Sequence, residues 1–221
     1  MHAHFYTLLT RPDRAWTAIR DDEERNSANY LMHLLLFALL PAMCMFIGTR
    51  WVGWSLVDQE RIRLDTLSAL QLSVLLYLTI LLGTVIMGFF MRWMSRTFEA
   101  RPTFNQCVGF IAYTCTPFFI AGLGALYPTR WMAISVLLIA GIYASYLLVI
   151  GLPRFMRIDH HQSFLYAAST WAVALLVLVN IKVGMILLWT QGLEPNYLRS
   201  VQQDQSYSTQ EERPQDEPGE R

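Results

Sequence analysis

Asn180 and Lys182 place an amide and an amine inside an otherwise apolar run, Phe164 to Gln191. A lysine at membrane depth costs about 2.5–3.5 kcal/mol on insertion scales. Such a residue either serves an ion or substrate path or extends its stem toward the interface, here toward Trp189. A second group lies in the run Cys107 to Tyr127, where Tyr113, Thr114, Thr116 and Pro117 stand among Gly109, Gly122 and Gly124. Hydroxyls and carbonyls loosened by a proline are costly in hydrocarbon, so this helix is expected inside a bundle. Two chemistries are open to Tyr113, Thr116, Pro117, Gly122, Asn180 and Lys182. They could line a solvated passage for a small solute or ion. Alternatively, small residues let helices approach closely while hydroxyls bond to neighbours, which is packing.

No catalytic constellation accompanies them. His160 and His161 adjoin Asp159, but neighbouring side chains on a helix point about 100° apart, which is poor geometry for one metal ion. His2 and His4 sit at the terminus. The chain has no H-E-x-x-H, C-x-x-C, G-x-S-x-G or phosphate-binding glycine loop. No Asp or Glu falls within an apolar run, which removes paired carboxylates and the usual proton relays. The expectation is a protein without catalytic, cofactor or metal residues. Cys44, Cys107 and Cys115 are odd in number and lie in or beside apolar runs, so they read as buried thiols packing like small hydrophobes.

The elements that must position these groups are five apolar stretches: Tyr30 to Thr49, Leu67 to Met91, Cys107 to Tyr127, Trp131 to Pro153 and Phe164 to Gln191. About 20 residues of helix cross a hydrocarbon core of roughly 30 Å. None of the runs alternates at period two, so barrel strands are excluded and helices remain. The fold expected is an all-α integral membrane bundle of five transmembrane helices, residues 30–191, with an amphipathic segment before it (1–29) and a disordered polar tail after it (192–221). Pro41 and Gly48 predict a kink in the first span. Small pairs, Thr84 with Gly88 and then Ala140 with Ala144 and Gly141 with Ser145, predict close helix contacts or self-association. The short turn Tyr127 to Arg130 makes the third and fourth spans antiparallel neighbours.

In the leading segment Phe5, Leu8, Leu9, Trp16 and Ile19 can share a face, with a helix beginning near Pro12. Asp13, Arg14, Asp21, Asp22, Glu23, Glu24 and Arg25 are assigned to the opposite, polar face. The segment reads as an interfacial anchor or a docking helix for a cytoplasmic partner. Arginines set the orientation. Arg11, Arg14, Arg20, Arg25, Arg92, Arg96, Arg101, Arg154 and Arg157 on one side outnumber Arg50, Arg61, Arg63, Arg130 and Arg199 on the other, which predicts a cytoplasmic N-terminus and a periplasmic C-terminus. With 15% charged residues and zero net charge, a nucleic-acid partner is excluded. The partners expected are the lipid bilayer and a second copy or other membrane proteins.

The residues also carry a family pattern. Arg11-Pro12 precedes Trp16 and Ile19; Pro41 leads to Cys44, Phe46, Ile47, Gly48, Thr49 and then Gly53-Trp54; Arg101-Pro102 opens the third span. Tyr113, Thr116, Pro117 and Gly122-Leu123 follow, then Leu126-Tyr127-Pro128 with Trp131, and Tyr146-Leu147-Leu148 with Gly151 and Pro153. In order and spacing, over about residues 8 to 190, the chain resembles the Yip family (Ypt-interacting-protein-one domain), in its bacterial inner-membrane branch. The resemblance implies a five-span domain with a cytoplasmic N-terminus in a bacterial inner membrane. Similar eukaryotic proteins act in membrane traffic and bind Rab-type GTPases. Their long N-terminal region and acidic D-L-Y-G-P type motif are missing here, so GTPase binding is not implied. The small-residue packing motifs and the missing catalytic groups favour a non-enzymatic role in membrane organisation or partner binding, with a transporter or channel lined by the third and fifth spans as the alternative.

Overall fold

A proline that lacks an amide hydrogen fits the first turn of a helix, where that hydrogen would be unsatisfied anyway. Accordingly α1 (Pro12–Arg25) begins at Pro12. The computed structural model describes residues 7–8, 10–25, 29–55, 61–97, 102–127, 130–156, 160–191 and 197–198. His2, His4, Phe5, Leu9, Pro128, Thr129, Arg157 and Asp159, and most of the tail, lie outside the described residues.

The first apolar run forms α2 (Asn29–Ile47), which continues through Pro41 and then widens into a π turn, Gly48–Val52. The helix therefore changes its winding at Gly48, and not by a break at the proline. Gly53, at φ 75°, closes the turn by donating its N–H to the Gly48 carbonyl at 2.8 Å. The second run forms α3 (Thr66–Ser95), started by Asp65, whose carboxylate accepts the Leu67 N–H. Its 30 residues give roughly 45 Å of helix, enough to outreach the hydrocarbon.

The third run is divided. α4 (Phe104–Thr114) opens with a capping box, in which the Thr103 hydroxyl accepts the Gln106 N–H and the Gln106 side chain accepts the Thr103 N–H. It yields at Cys115 to α5 (Thr116–Ala121), which tightens into a 3₁₀ turn, Gly122–Leu126. Pro117 can donate nothing to the preceding turn, and Cys115 instead takes both the Phe118 and Phe119 amides, so the two pieces meet at 42°. α6 (Arg130–Met156) and α7 (His160–Gln191) complete the chain.

Four helices are each long and apolar enough to cross a membrane, and the bent pair α4–α5 makes a fifth if it is one span. Their outer surfaces carry large exposed apolar side chains, among them Leu36, Leu82, Phe89, Leu138, Ile142 and Leu176. Apolar surface on this scale requires a lipid environment.

α3 is the hub, packed against α2, α4 and α7, while α6 lies against α5, α7 and α1. The third and fourth runs, expected to be neighbours, meet in the α5–α6 contact. The small positions of α3 are used within the chain. A Cβ on Gly88 would run into Val108 of α4, and Gly83 faces Ile181 of α7, so these residues serve internal packing and are not free for self-association. At the end opposite α1, β1 (Trp54–Ser55), β2 (Arg61–Leu64) and β3 (Tyr197–Leu198) form a small antiparallel sheet in that order. β3 belongs to the tail expected to be disordered. Its two described residues pair with the free backbone edge of β2, Leu64 opposite Tyr197.

Candidate functional site

The described residues of α1 that are fully buried run Pro12, Ala15, Trp16, Ile19 and Glu23, a stripe at three- and four-residue intervals. This face is covered by protein and does not rest on lipid. Trp16 lies 4.7 Å from Phe110 of α4 and 5.9 Å from Phe155 of α6, centroid to centroid. Gly151 makes room for it, since a Cβ there would sit 2.6 Å from the Trp16 ring and 2.8 Å from the Phe110 ring. Arg20 secures the same face. One guanidinium nitrogen donates to the Phe155 carbonyl at 2.7 Å and the Arg154 carbonyl at 3.3 Å, at the C-terminal end of α6 where cations are favoured. Asp13 pairs with Arg154 at 2.9 Å, and the Tyr143 hydroxyl donates to the Leu8 carbonyl at 3.1 Å.

Two polar groups in this seat go unmatched. Trp16 Nε1 and both carboxylate oxygens of Glu23 are buried without a hydrogen-bond partner. An unsatisfied buried polar group costs about 1–3 kcal/mol, and more if charged. Burial pushes the Glu23 carboxyl up from 4.5 to about 7; the Tyr30 backbone N–H pulls it down and the Asp22 carboxylate pushes it further up. The assignment of Glu23 to the polar face is therefore corrected. Three residues after Trp16 comes Ile19 and four after that Glu23, so Glu23 belongs to the apolar stripe.

Beneath this seat the third span meets the first. Tyr113, 5% exposed, tilts its ring 4.5 Å from that of His33, which also stacks on Phe37 at 4.4 Å. His33 Nε2 lies 3.0 Å from the Thr116 hydroxyl, and both residues are buried. Thr114 turns its hydroxyl back to the Phe110 carbonyl at 2.8 Å. Pro117 is buried beside Thr116, and Gly122 packs against Pro41, where an added Cβ would meet the Pro41 Cα at 2.7 Å. The irregular points of the two spans thus touch each other.

The structure brings Tyr113, Thr116, Pro117 and Gly122 together around α2, but not Asn180 and Lys182. α7 turns Val177, Ile181 and Met185 toward its neighbours, and the residues flanking Ile181 point outward. Asn180 is exposed and donates to its own Leu176 carbonyl at 2.8 Å; Lys182 is exposed as well. The pairing of these two residues with the third span, expected for a shared passage, does not occur. Sequence reasoning missed His33 and misplaced Glu23. The rule that singled out Lys182, an ionisable group in an apolar run, applies equally to His33.

Among the described residues no three His, Cys, Asp or Glu side chains come together to hold a metal ion. Cys44, Cys107 and Cys115 are free thiols. The arrangement can lock helices through stacking and hydrogen bonds, and it holds one carboxyl whose charge is disfavoured.

Comparison with known proteins is consistent with this architecture. The Yip1 domain matches residues 6–181. Inner membrane protein YohC of Escherichia coli (strain K12) is 36% identical over 190 residues, which covers 86% of this chain and 97% of that protein. The protein of the same name in Escherichia coli O6:H1 matches to the same extent. No solved structure matches. With one domain spanning most of its length and a relative aligned over nearly the whole of both sequences, the chain belongs to the Yip1 domain family.

Proposed function

We propose that the protein is a non-enzymatic scaffold of the inner membrane, which organises the bilayer or neighbouring membrane proteins through contact. One observation carries the reading. Thr114 and Thr116 of the third span close on their own helix and on His33, while Asn180 and Lys182 of α7 stand outward. Interior polar groups then serve to hold the bundle, and the outward pair is available to a second copy or another membrane protein. Interhelical hydrogen bonds of this kind contribute about 0.6–2 kcal/mol in a bilayer. A transporter lined by the third and fifth spans is disfavoured by the same placement.

In this reading α4–α5 is one bent span and the bundle has five. The arginine distribution supports a cytoplasmic N-terminus and a periplasmic C-terminus. A reporter fused after Arg221 is expected to report the periplasmic side; activity of a reporter that works only in the cytoplasm would reverse the orientation.

The scaffold reading is tested with single cysteines in a chain carrying Ala at Cys44, Cys107 and Cys115. Cysteine at Thr116 is expected to stay protected from a membrane-impermeant maleimide. Cysteine at Asn180 is expected to form an intermolecular crosslink in intact membranes. Rapid labelling at position 116 would restore the passage. Absence of a crosslink at both 180 and 182 would remove lateral contact through α7.

A further inference from the structure

We propose that Glu23 is a protonation latch: its carboxyl takes a proton from the aqueous phase when α1 seats on the bundle and returns it when α1 lifts, so seating follows pH. The geometry points to this through three facts. Glu23 closes the buried stripe of α1 at 2% exposure, one turn beyond Ile19 and two beyond Trp16. Both its oxygens are buried without a well-formed hydrogen bond, the Tyr30 N–H being the nearby donor that favours the charge. Among the described side chains, Arg20 pairs with Glu24 at 2.9 Å and caps the α6 carbonyls, and Arg154 is held by Asp13.

The groups facing the carboxyl come from each element of the seat. Asp22, on α1 itself, opposes its ionisation. Tyr30 of α2 presents its backbone N–H and its phenol, and Tyr113 of α4 presents a phenol backed by the His33 ring. α6 meets α1 through Phe155, which lies against Trp16, and through Arg154, which is paired with Asp13. Among the described residues no cation pairs with Glu23, so a neutral carboxyl is the form that fits. Seating also leaves Trp16 Nε1 unmatched. That cost is independent of pH.

The direction follows from linkage. Seated, Glu23 titrates at about 7, against an ordinary 4.5 when α1 is lifted and the carboxyl is in water. Seating is therefore strongest below 4.5, weakens as pH rises from there to about 7, and is level above. Between pH 6 and pH 8 the seating equilibrium is expected to fall roughly tenfold.

Hydrogen exchange of the full-length protein in lipid nanodiscs, corrected for the intrinsic pH dependence of exchange, reads this directly in the amides of residues 12–25. Protection in α1 is expected to be roughly tenfold higher at pH 6 than at pH 8, with the membrane helices unchanged. In Glu23→Gln, a neutral side chain of the same shape, protection is expected to be high at both. An infrared measurement of the unaltered protein is expected to show a carboxylic-acid C=O band at pH 6 that is lost by pH 8 and absent in Glu23→Leu. Flat protection in the unaltered protein, a slope that persists in Glu23→Gln, or a carboxylic-acid band that Glu23→Leu retains would each overturn the latch.

Discussion

Trp16→Ala is expected to lift α1 from the bundle while the membrane helices stay folded. The indole is fully buried between Phe110 and Phe155, over the space left by Gly151. Removing a buried aromatic side chain costs about 3–5 kcal/mol, because transfer free energy is lost and a cavity remains. Against this, the substitution removes one unmatched donor, Trp16 Nε1, a gain of about 1–3 kcal/mol. The balance still favours release, because α1 is only 14 residues long and an isolated helix of that length is marginal in water. Loss of amide protection across residues 12–25, and faster trypsin cleavage after Arg20, would be the readout. Gly151→Leu approaches the same contact from α6, with the Trp16 and Phe110 rings both under 3 Å from the first added atom, and should release α1 to a similar extent. If α1 stays protected in both variants, the seat depends on Arg20 and Asp13 and not on the aromatic contact.

Four long apolar helices and the bent pair were legible in the sequence because bilayer thickness imposes a length, and a run of that length without charge has few other uses. The interior character of the third span was legible as well: Pro117 breaks the ladder and hydroxyls avoid lipid, and α4 is buried along Cys107 to Thr114. Glu23 was not legible, for a physical reason. It lies in the run Asp21, Asp22, Glu23, Glu24, Arg25, where neighbouring charges mask its spacing from Trp16 and Ile19. Its burial also depends on α1 reaching α6, more than 130 positions away, as the Arg20 contacts show. The outward placement of Asn180 and Lys182 was hidden similarly. Which ridge of α7 faces inward is set by Gly83 of α3, whose bare backbone receives Ile181. The strand Tyr197–Leu198 could not be read from a polar tail, since its pairing depends on the edge of β2.

His33 links the two halves of the candidate site, and the contact just below it determines whether that link can hold. Gly122→Val is therefore expected to be the most disruptive single substitution in the membrane region. A first added carbon would stand 2.7 Å from the Pro41 Cα and would also overlap its Cβ. These atoms belong to a ring and a backbone, so no rotamer change relieves the overlap. Overpacking of this kind typically costs about 1–3 kcal/mol, and here a second close approach prevents the helices from sliding apart in compensation: the Gly48 position lies against the Ala125 carbonyl one turn along. α5 must then separate from α2, which stretches the Thr116 to His33 contact. Two measurements should move together. Thermal stability in detergent is expected to fall by several degrees or more, and the protected cysteine at Thr116 should become labelled by an impermeant maleimide. Pro41→Gly, which removes the overlapping Cβ while keeping the backbone, should restore part of both in the double variant. A Gly122→Val protein that melts like the unaltered chain, with position 116 still protected, would show that the first and third spans are not locked at this point.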